Sequence, residues 1–289
     1  MPLLYILILA VVQGLTELLP VSSSAHVVVA EKLLGLDPSS PPMTLLLVML
    51  HTGTMFAVIV YFWRQWRDAY FQSSAAFKKF AELVLIATVL TGVVGVVMTK
   101  ILEKTFLLRV PHAQVEDLFS HLEIIGPALA LVGILILVAG IVENRKSAKN
   151  VSQTHDLNVK HAGTIGLVQG FCLPFRGFSR SGATISAGML LGVAKSRAEM
   201  FSFALAVVLT PAAVARELIR VLHSQQAIGW ANFGSAVFPS LIGALFTFLA
   251  GLCSLRWLSA WLERGRWYVF GIYCLFAGVG VSCLHYLGC

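Results

Sequence analysis

Six stretches of this chain are long and apolar enough to cross a bilayer, at about 43–62, 81–99, 124–142, 199–220, 234–254 and 267–287. A spanning helix needs roughly 20 apolar residues and must satisfy its own backbone groups, because hydrocarbon offers them no partner. Of the 289 residues 12% are charged, against about 25% in a soluble domain. The chain therefore reads as an all-α polytopic membrane protein, a single membrane domain over 1–289. Its net charge of +7 is not a nucleic-acid signal, because the basic residues cluster in short loops between the apolar runs. The five cysteines form no CxxC pair and read as packing residues. The N-terminus lacks the basic region of a signal peptide and is expected to be retained.

Two further apolar segments are interrupted. One is 3–34, broken at Pro20 and the serines after it; the other is 161–193, broken at Leu173-Pro174-Phe175-Arg176-Gly177. Broken backbone is tolerated at membrane depth only where protein or a wet cavity receives it. Both segments read as re-entrant helix–loop–helix hairpins. Loop charge sets the orientation. Loops 63–80, 143–160 and 255–266 hold eleven basic residues; the other side holds at most five, Lys32, Lys100, Lys104, Arg109 and Arg220. The positive-inside rule places the first set in the cytoplasm. Both termini then lie outside, the first hairpin enters from outside and the second from the cytoplasm.

The broken segments echo one another. Gln13-Gly14 and Gln169-Gly170 are 156 residues apart, as are Ser23 and Ser179. Leu33-Leu34-Gly35 matches Leu190-Leu191-Gly192 one residue out of step. Each hairpin precedes three spans, and three is odd, so halves of about 1–142 and 160–289 would form an inverted-topology repeat. Repeats of that kind place a binding site where their broken helices meet.

The breaks also hold the charges. Glu17 is the one charge inside the first segment before Glu31 and Lys32; Arg176 and Arg180 lie inside the second. Such a charge at the centre of a span costs roughly 2.5–3.5 kcal/mol, so the three imply a hydrated or mutually paired cluster. A structural Glu17–Arg180 ion pair would account for the charges but not for the hydroxyls and glycines around them. Those suit a phosphate: a guanidinium fork matches phosphate oxygens, and serines with a helix N-terminus add donors. In GFSRSGAT, Gly177 and Gly182 allow close backbone approach, and the helix is expected to restart after Ser181. Ser181 and Thr184 are equally readable as helix caps.

QGLTELLPVSSSAH (Gln13–His26) together with GFSRSGATISAG (Gly177–Gly188) resembles the undecaprenyl-diphosphate phosphatases, the bacitracin-resistance integral membrane phosphatases. The resemblance covers essentially the whole chain. Shorter echoes are LHTGTMFAVIVYFW (Leu50–Trp63) and FSFALAVVLTP (Phe201–Pro211). The first family motif maps to Gln13, Glu17, Pro20, Ser22, Ser23 and His26, and the second to Gly177, Ser179, Arg180, Ser181 and Thr184. The chain departs from the pattern at Arg176, where the family has proline, at Ala25, where a glycine is common, and at Gln13, the less acidic variant.

The resemblance implies hydrolysis of undecaprenyl diphosphate to the monophosphate, which recycles the lipid carrier for peptidoglycan. It implies a bacterial inner membrane and a site open to the outer, periplasmic side. Glu17, Ser23, His26 and Arg180 would be catalytic. Gln13, Ser22, Ser179, Ser181, Thr184, Gly177 and Arg176 would bind substrate. Glu17 would ligate a divalent cation, Mg²⁺ or else Ca²⁺, or act as base. Ser23, activated by Glu17 or His26, is the candidate nucleophile, with direct attack by water as the alternative. Arg176 would either enter the pocket or snorkel away, toward cytoplasmic water or a carbonyl. The partners are the polyprenyl diphosphate and membrane lipids, with no nucleic acid; a homodimer is open. The rival reading is a polyprenyl-phosphate flippase using the same pocket. His51 reads equally as pocket lining or core histidine. Glu199, Arg216 and Glu217 read as solvated or interfacial charges near helix ends, and Trp63, Trp66, Trp257, Trp261 and Trp267 as interfacial belt residues.

Overall fold

The computed structural model describes residues 1–37, 40–106, 122–149, 153–154, 156–228 and 230–286. Arg109 and Cys289 lie outside the described residues. These described residues form ten helices: α1 (Leu3–Leu18), α2 (Ser23–Leu33), α3 (Pro41–Tyr70), α4 (Ser74–Phe106), α5 (Leu122–Ala148), α6 (Val159–Cys172), α7 (Arg180–Leu190), α8 (Lys195–Ile228), α9 (Trp230–Glu263) and α10 (Trp267–Tyr286). Among the described residues there is no strand, only an isolated bridge between Thr154 and Val193.

The six expected spans are α3, α4, α5, α8, α9 and α10, each long and apolar enough to cross a membrane. The protein is a multi-span integral membrane protein. The two interrupted segments become helix pairs, α1 with α2 and α6 with α7. They contain 16 and 11 residues, and 14 and 11. At about 1.5 Å per residue none of the four reaches the ~30 Å of a hydrocarbon core.

The first break, Leu19 to Ser22, contains Pro20, which has no N–H to continue the ladder. It is forced further by Ser22, whose φ of 67° is the one positive value outside glycine among the described residues. The second break, Leu173 to Ser179, turns at Gly177, with φ 93°.

Each short pair is seated on a helix from the other half of the chain. α1 packs on α9: a Cβ at Gly14 would lie 2.7 Å from Thr247 O, and Thr247 Oγ1 donates to Ala10 O at 3.1 Å. α6 packs on α4: a Cβ at Gly170 would lie 2.7 Å from Thr91 O, and Thr91 Oγ1 donates to Gly166 O at 3.0 Å. Small residues let backbones touch and buried threonines bind across, as in other membrane helix interfaces. These matched contacts repeat at the offset that relates Gln13 to Gln169. The α7–α8 turn is pinned separately by buried Glu143 of α5. That carboxylate accepts from Ser147 and Gln153 and faces Lys195 Nζ at 3.7 Å.

Two tryptophans are not belt residues. Trp66 donates to Met200 O at 3.2 Å, and Trp267, 1% exposed, donates to Ser186 Oγ at 3.0 Å. A buried indole N–H needs an acceptor, and each of these has one inside the bundle.

Candidate active site

The two breaks meet. Ser181 Oγ donates to Leu19 O at 3.3 Å, and Gly177 N donates to Ser24 Oγ at 3.2 Å. A Cβ at Gly182 would crowd Pro20 at 3.2 Å. The expected charge pair forms at this seam. Arg180, first residue of α7, donates through Nη2 to Glu17 Oε1 at 3.0 Å. Each side chain is about one-fifth exposed, so the pair is neither sealed in nor freely solvated. Breaking such a pair leaves an unmatched charge at depth, the costly outcome.

The second carboxylate oxygen gathers the remaining polar groups. Ser23 Oγ, on the first residue of α2, donates to Glu17 Oε2 at 2.5 Å, and Gln13 Nε2 reaches the same oxygen at 3.3 Å. Gln13 and Glu17 are one helical turn apart on α1, which puts both on one face. His51 Nε2 faces Oε2 at 3.9 Å, while its Nδ1 lies 2.9 Å from Leu47 O. His51 therefore lines the cluster.

α2 and α7 both begin at this seam, with their free N–H groups and positive dipole ends beside it. The capping serine is Ser179. Its Oγ accepts from Gly182 N at 3.2 Å, so α7 restarts at Arg180, ahead of the expected position. Ser22 gives α2 no such cap; its Oγ is 3.1 Å from Ser24 Oγ. Thr184, fully buried, bonds Ser202 Oγ of α8 at 2.6 Å and returns to Arg180 O at 2.8 Å. It ties α7 to α8 rather than meeting Glu17.

His26 lies one turn beyond Ser23 on α2. Its Nδ1 is 2.8 Å from Ser22 O, and its Nε2 is 2.6 Å from the hydroxyl of Tyr273 on α10. Arg176 is half-buried at the second break, where it attracts the carboxylate of buried Glu31, two turns beyond Ser23 on α2. Sequence reasoning passed over Tyr273 because a tyrosine in an apolar run looks like boundary decoration. It passed over Ser24 because three consecutive serines carry no register of their own.

Glu199 is not solvated. It is 4% exposed and accepts from Ser259 Oγ at 2.7 Å. It lines a cavity of about 430 Å³ between α3, α8 and α9 that shares no residue with the Glu17 cluster.

Comparison with known proteins gives one consistent family. A model described as bacitracin resistance protein BacA matches residues 6–280. The chain is 55% identical over 283 residues to undecaprenyl-diphosphatase 2 of Acinetobacter baylyi, covering 96% of this chain and 97% of that one. It is 32% identical over 290 residues to undecaprenyl-diphosphatase 2 of Burkholderia ambifaria, covering 96% and 95%. The same identity and coverage hold for undecaprenyl-diphosphatase 1 of Burkholderia pseudomallei. With the two motifs meeting at one seam and the match running nearly end to end, the chain belongs to the bacitracin resistance protein BacA family.

Proposed function

We propose that the protein is a membrane phosphatase that hydrolyses undecaprenyl diphosphate to undecaprenyl phosphate and phosphate. The carrying observation is the contact of Glu17 with both Arg180 and Ser23 across the seam of two broken helices. The relatives' names support the same substrate, and they lend nothing to the flippase alternative.

Phosphoryl transfer asks for positioning and charge neutralisation above all. Arg180 exchanges one carboxylate contact for the phosphoryl oxygens, helped by the N-termini of α2 and α7. Glu17, already accepting the Ser23 hydrogen bond, acts as base and takes its proton. Ser23 Oγ then attacks the terminal phosphorus, the bridging P–O bond breaks, and the lipid monophosphate leaves with the electron pair. Water then releases phosphate from the serine. In the alternative, Glu17 and Ser23 orient a water that attacks directly. His26 serves as a second proton-handling group.

The donor set fits one kind of metal site. Among the described residues no three His, Cys, Asp or Glu side chains converge. Mg²⁺ is often held by one or two carboxylates and the substrate's own phosphates. Glu17, with the Gln13 amide and the Ser23 hydroxyl, is suited to that sharing. A bound divalent cation would supply charge neutralisation for the diphosphate.

The inverted repeat belongs to this reading. It is supported by the matched seats of α1 on α9 and α6 on α4, at one sequence offset. The four short helices support re-entrant hairpins, and the loop charges support outward termini and an outward-opening site in a bacterial inner membrane. A homodimer remains part of the reading as an option for assembly.

The test is phosphate release from undecaprenyl diphosphate by purified protein. Glu17→Ala and Arg180→Ala should each lower turnover by about 100-fold or more. Arg180→Lys should recover little, because a point charge does not replace the fork. Near-normal turnover in both alanine variants would remove the assignment.

A further inference from the structure

α10 reaches the first break through two neighbouring side chains. Cys274 Sγ lies 3.3 Å from Pro20 O, and the Tyr273 hydroxyl lies 2.6 Å from His26 Nε2. The other imidazole nitrogen is 2.8 Å from Ser22 O. A carbonyl only accepts, so Nδ1 carries the hydrogen in this arrangement. In the neutral ring Nε2 is then a lone pair, and the tyrosine hydroxyl is the donor. The two rings lie nearly parallel, 13° apart with centroids 5.8 Å apart. The imidazole is thus held at one nitrogen by the strained backbone of Ser22 and at the other by a helix distant in sequence.

This leaves His26 one nitrogen for chemistry, and Tyr273 occupies it. We propose that Tyr273 is a positioning residue for His26. Its hydroxyl fixes the ring's orientation about the Ser22 O hydrogen bond and holds Nε2 until substrate displaces the contact. The tyrosine is 45% exposed on α10, so its hydroxyl and the imidazole beside it are not sealed inside the bundle. This inference rests on the reading of His26 as part of a phosphatase site.

The competing account is a boundary tyrosine whose hydroxyl found the nearest partner. The two accounts differ in whether Tyr273 acts through His26. The experiment compares full-length protein with Tyr273→Phe, His26→Ala and the double variant, with phosphate release from undecaprenyl diphosphate as the readout. Phenylalanine keeps the ring and its packing. Tyr273→Phe should lower kcat about tenfold, a fraction of the ~10²–10⁴ that a full acid–base group supplies. KM should stay within about twofold, since the contact is made to His26 and not to ground-state substrate. In the His26→Ala background the same change should alter kcat by less than about twofold, because its target is gone. An equal loss in both backgrounds overturns the proposal, and so does full activity of Tyr273→Phe. Full activity of His26→Ala beside an inactive Arg180→Ala overturns it while leaving the phosphatase reading in place. A wild-type protein that releases no phosphate fails the phosphatase reading instead. In that event the histidine ¹⁵N spectrum tests the positioning alone: the Nε2 resonance of His26 should carry the shift of a hydrogen-bonded nitrogen in wild type and lose it in Tyr273→Phe. An unchanged spectrum would overturn it.

Discussion

The first break, Leu19 to Ser22, and the second, Leu173 to Ser179, each halt a short helix, turn the chain and start another. They satisfy their backbones differently. The second turns on a glycine with φ 93° and restarts under a serine cap. The first turns on Pro20 and a serine held at φ 67°, and its new helix has no side-chain cap. The second break is relaxed at every point where the first is strained. The nucleophile candidate, the carboxylate and the histidine all stand beside the strained one. Strain of this sort persists only where surrounding structure over-determines it, and it gathers at functional sites. The relaxed break contributes the guanidinium, which needs a firm mount more than a reactive setting.

The largest way to break this comparison is at Gly177. A Cβ there would meet Ile125 O at 2.4 Å, on a backbone already at φ 93°. Gly177→Ala should abolish most folded protein, read as recovery of a monodisperse species in detergent. Gly192→Ala is the control, with φ 85° and open space around it. It should cost only the ~1–2 kcal/mol of a left-handed alanine. Equal losses would mean that crowding is not what fixes the second break.

The matched serines come next. Ser23→Ala should cut turnover by about 100-fold if its oxygen attacks phosphorus, with little change in melting temperature. Ser179→Ala should cost about 1 kcal/mol of stability through its lost cap, and the smaller loss of turnover. If Ser179→Ala proves the more damaging to catalysis, the division of labour between the breaks is reversed. If Ser23→Ala is mild, water is the nucleophile.

The smallest effect is expected at Ser22. Ser22→Gly relieves a positive φ, worth up to ~1 kcal/mol, partly offset by the entropy of a glycine. Thermal stability should rise slightly while turnover falls severalfold, because a glycine lets the carbonyl that orients His26 drift. A marked drop in stability would show that the serine is not strained in the working protein.

Much of this was legible in the sequence, for one physical reason. Lipid forbids loose polar groups, so Glu17 and Arg180 had to find each other, and Pro20 and Gly177 had to mark breaks. The ends of the spans were less legible. α3 and α9 run on past their apolar stretches to Tyr70 and Glu263, because helices continue into polar surroundings at no hydrophobic cost. Residue roles within the second motif were legible only in part. Ser179, Ser181 and Thr184 are all hydroxyls near one helix start, and a fraction of a turn decides which caps, which bridges to Leu19 and which binds Ser202. Trp66 and Trp267 misled for a related reason. An indole at the end of an apolar run looks the same whether it faces headgroups or a neighbouring helix. Arg176 was aligned with its repeat partner, Pro20, which carries no charge and so gave no sign of Glu31 of α2 as an electrostatic neighbour.

The exchange of seats between the halves also sets a timetable. α1 rests on α9, and the hydrogen bond joining Thr247 to Ala10 spans 237 residues of chain. Arg180 follows Glu17 by 163 residues. At ribosomal speeds of about 5–20 residues per second, the first hairpin waits roughly 12–47 s for its support to be translated. For roughly 8–33 s of that wait, until Arg180 is made, an acidic residue and a row of hydroxyls stand at the membrane with no counterpart. The nascent hairpin must shelter at the interface or with the insertion machinery. A chain released before Arg180 would carry Glu17 into lipid without its partner, which makes translation of the second break a condition for stable insertion of the first thirty residues.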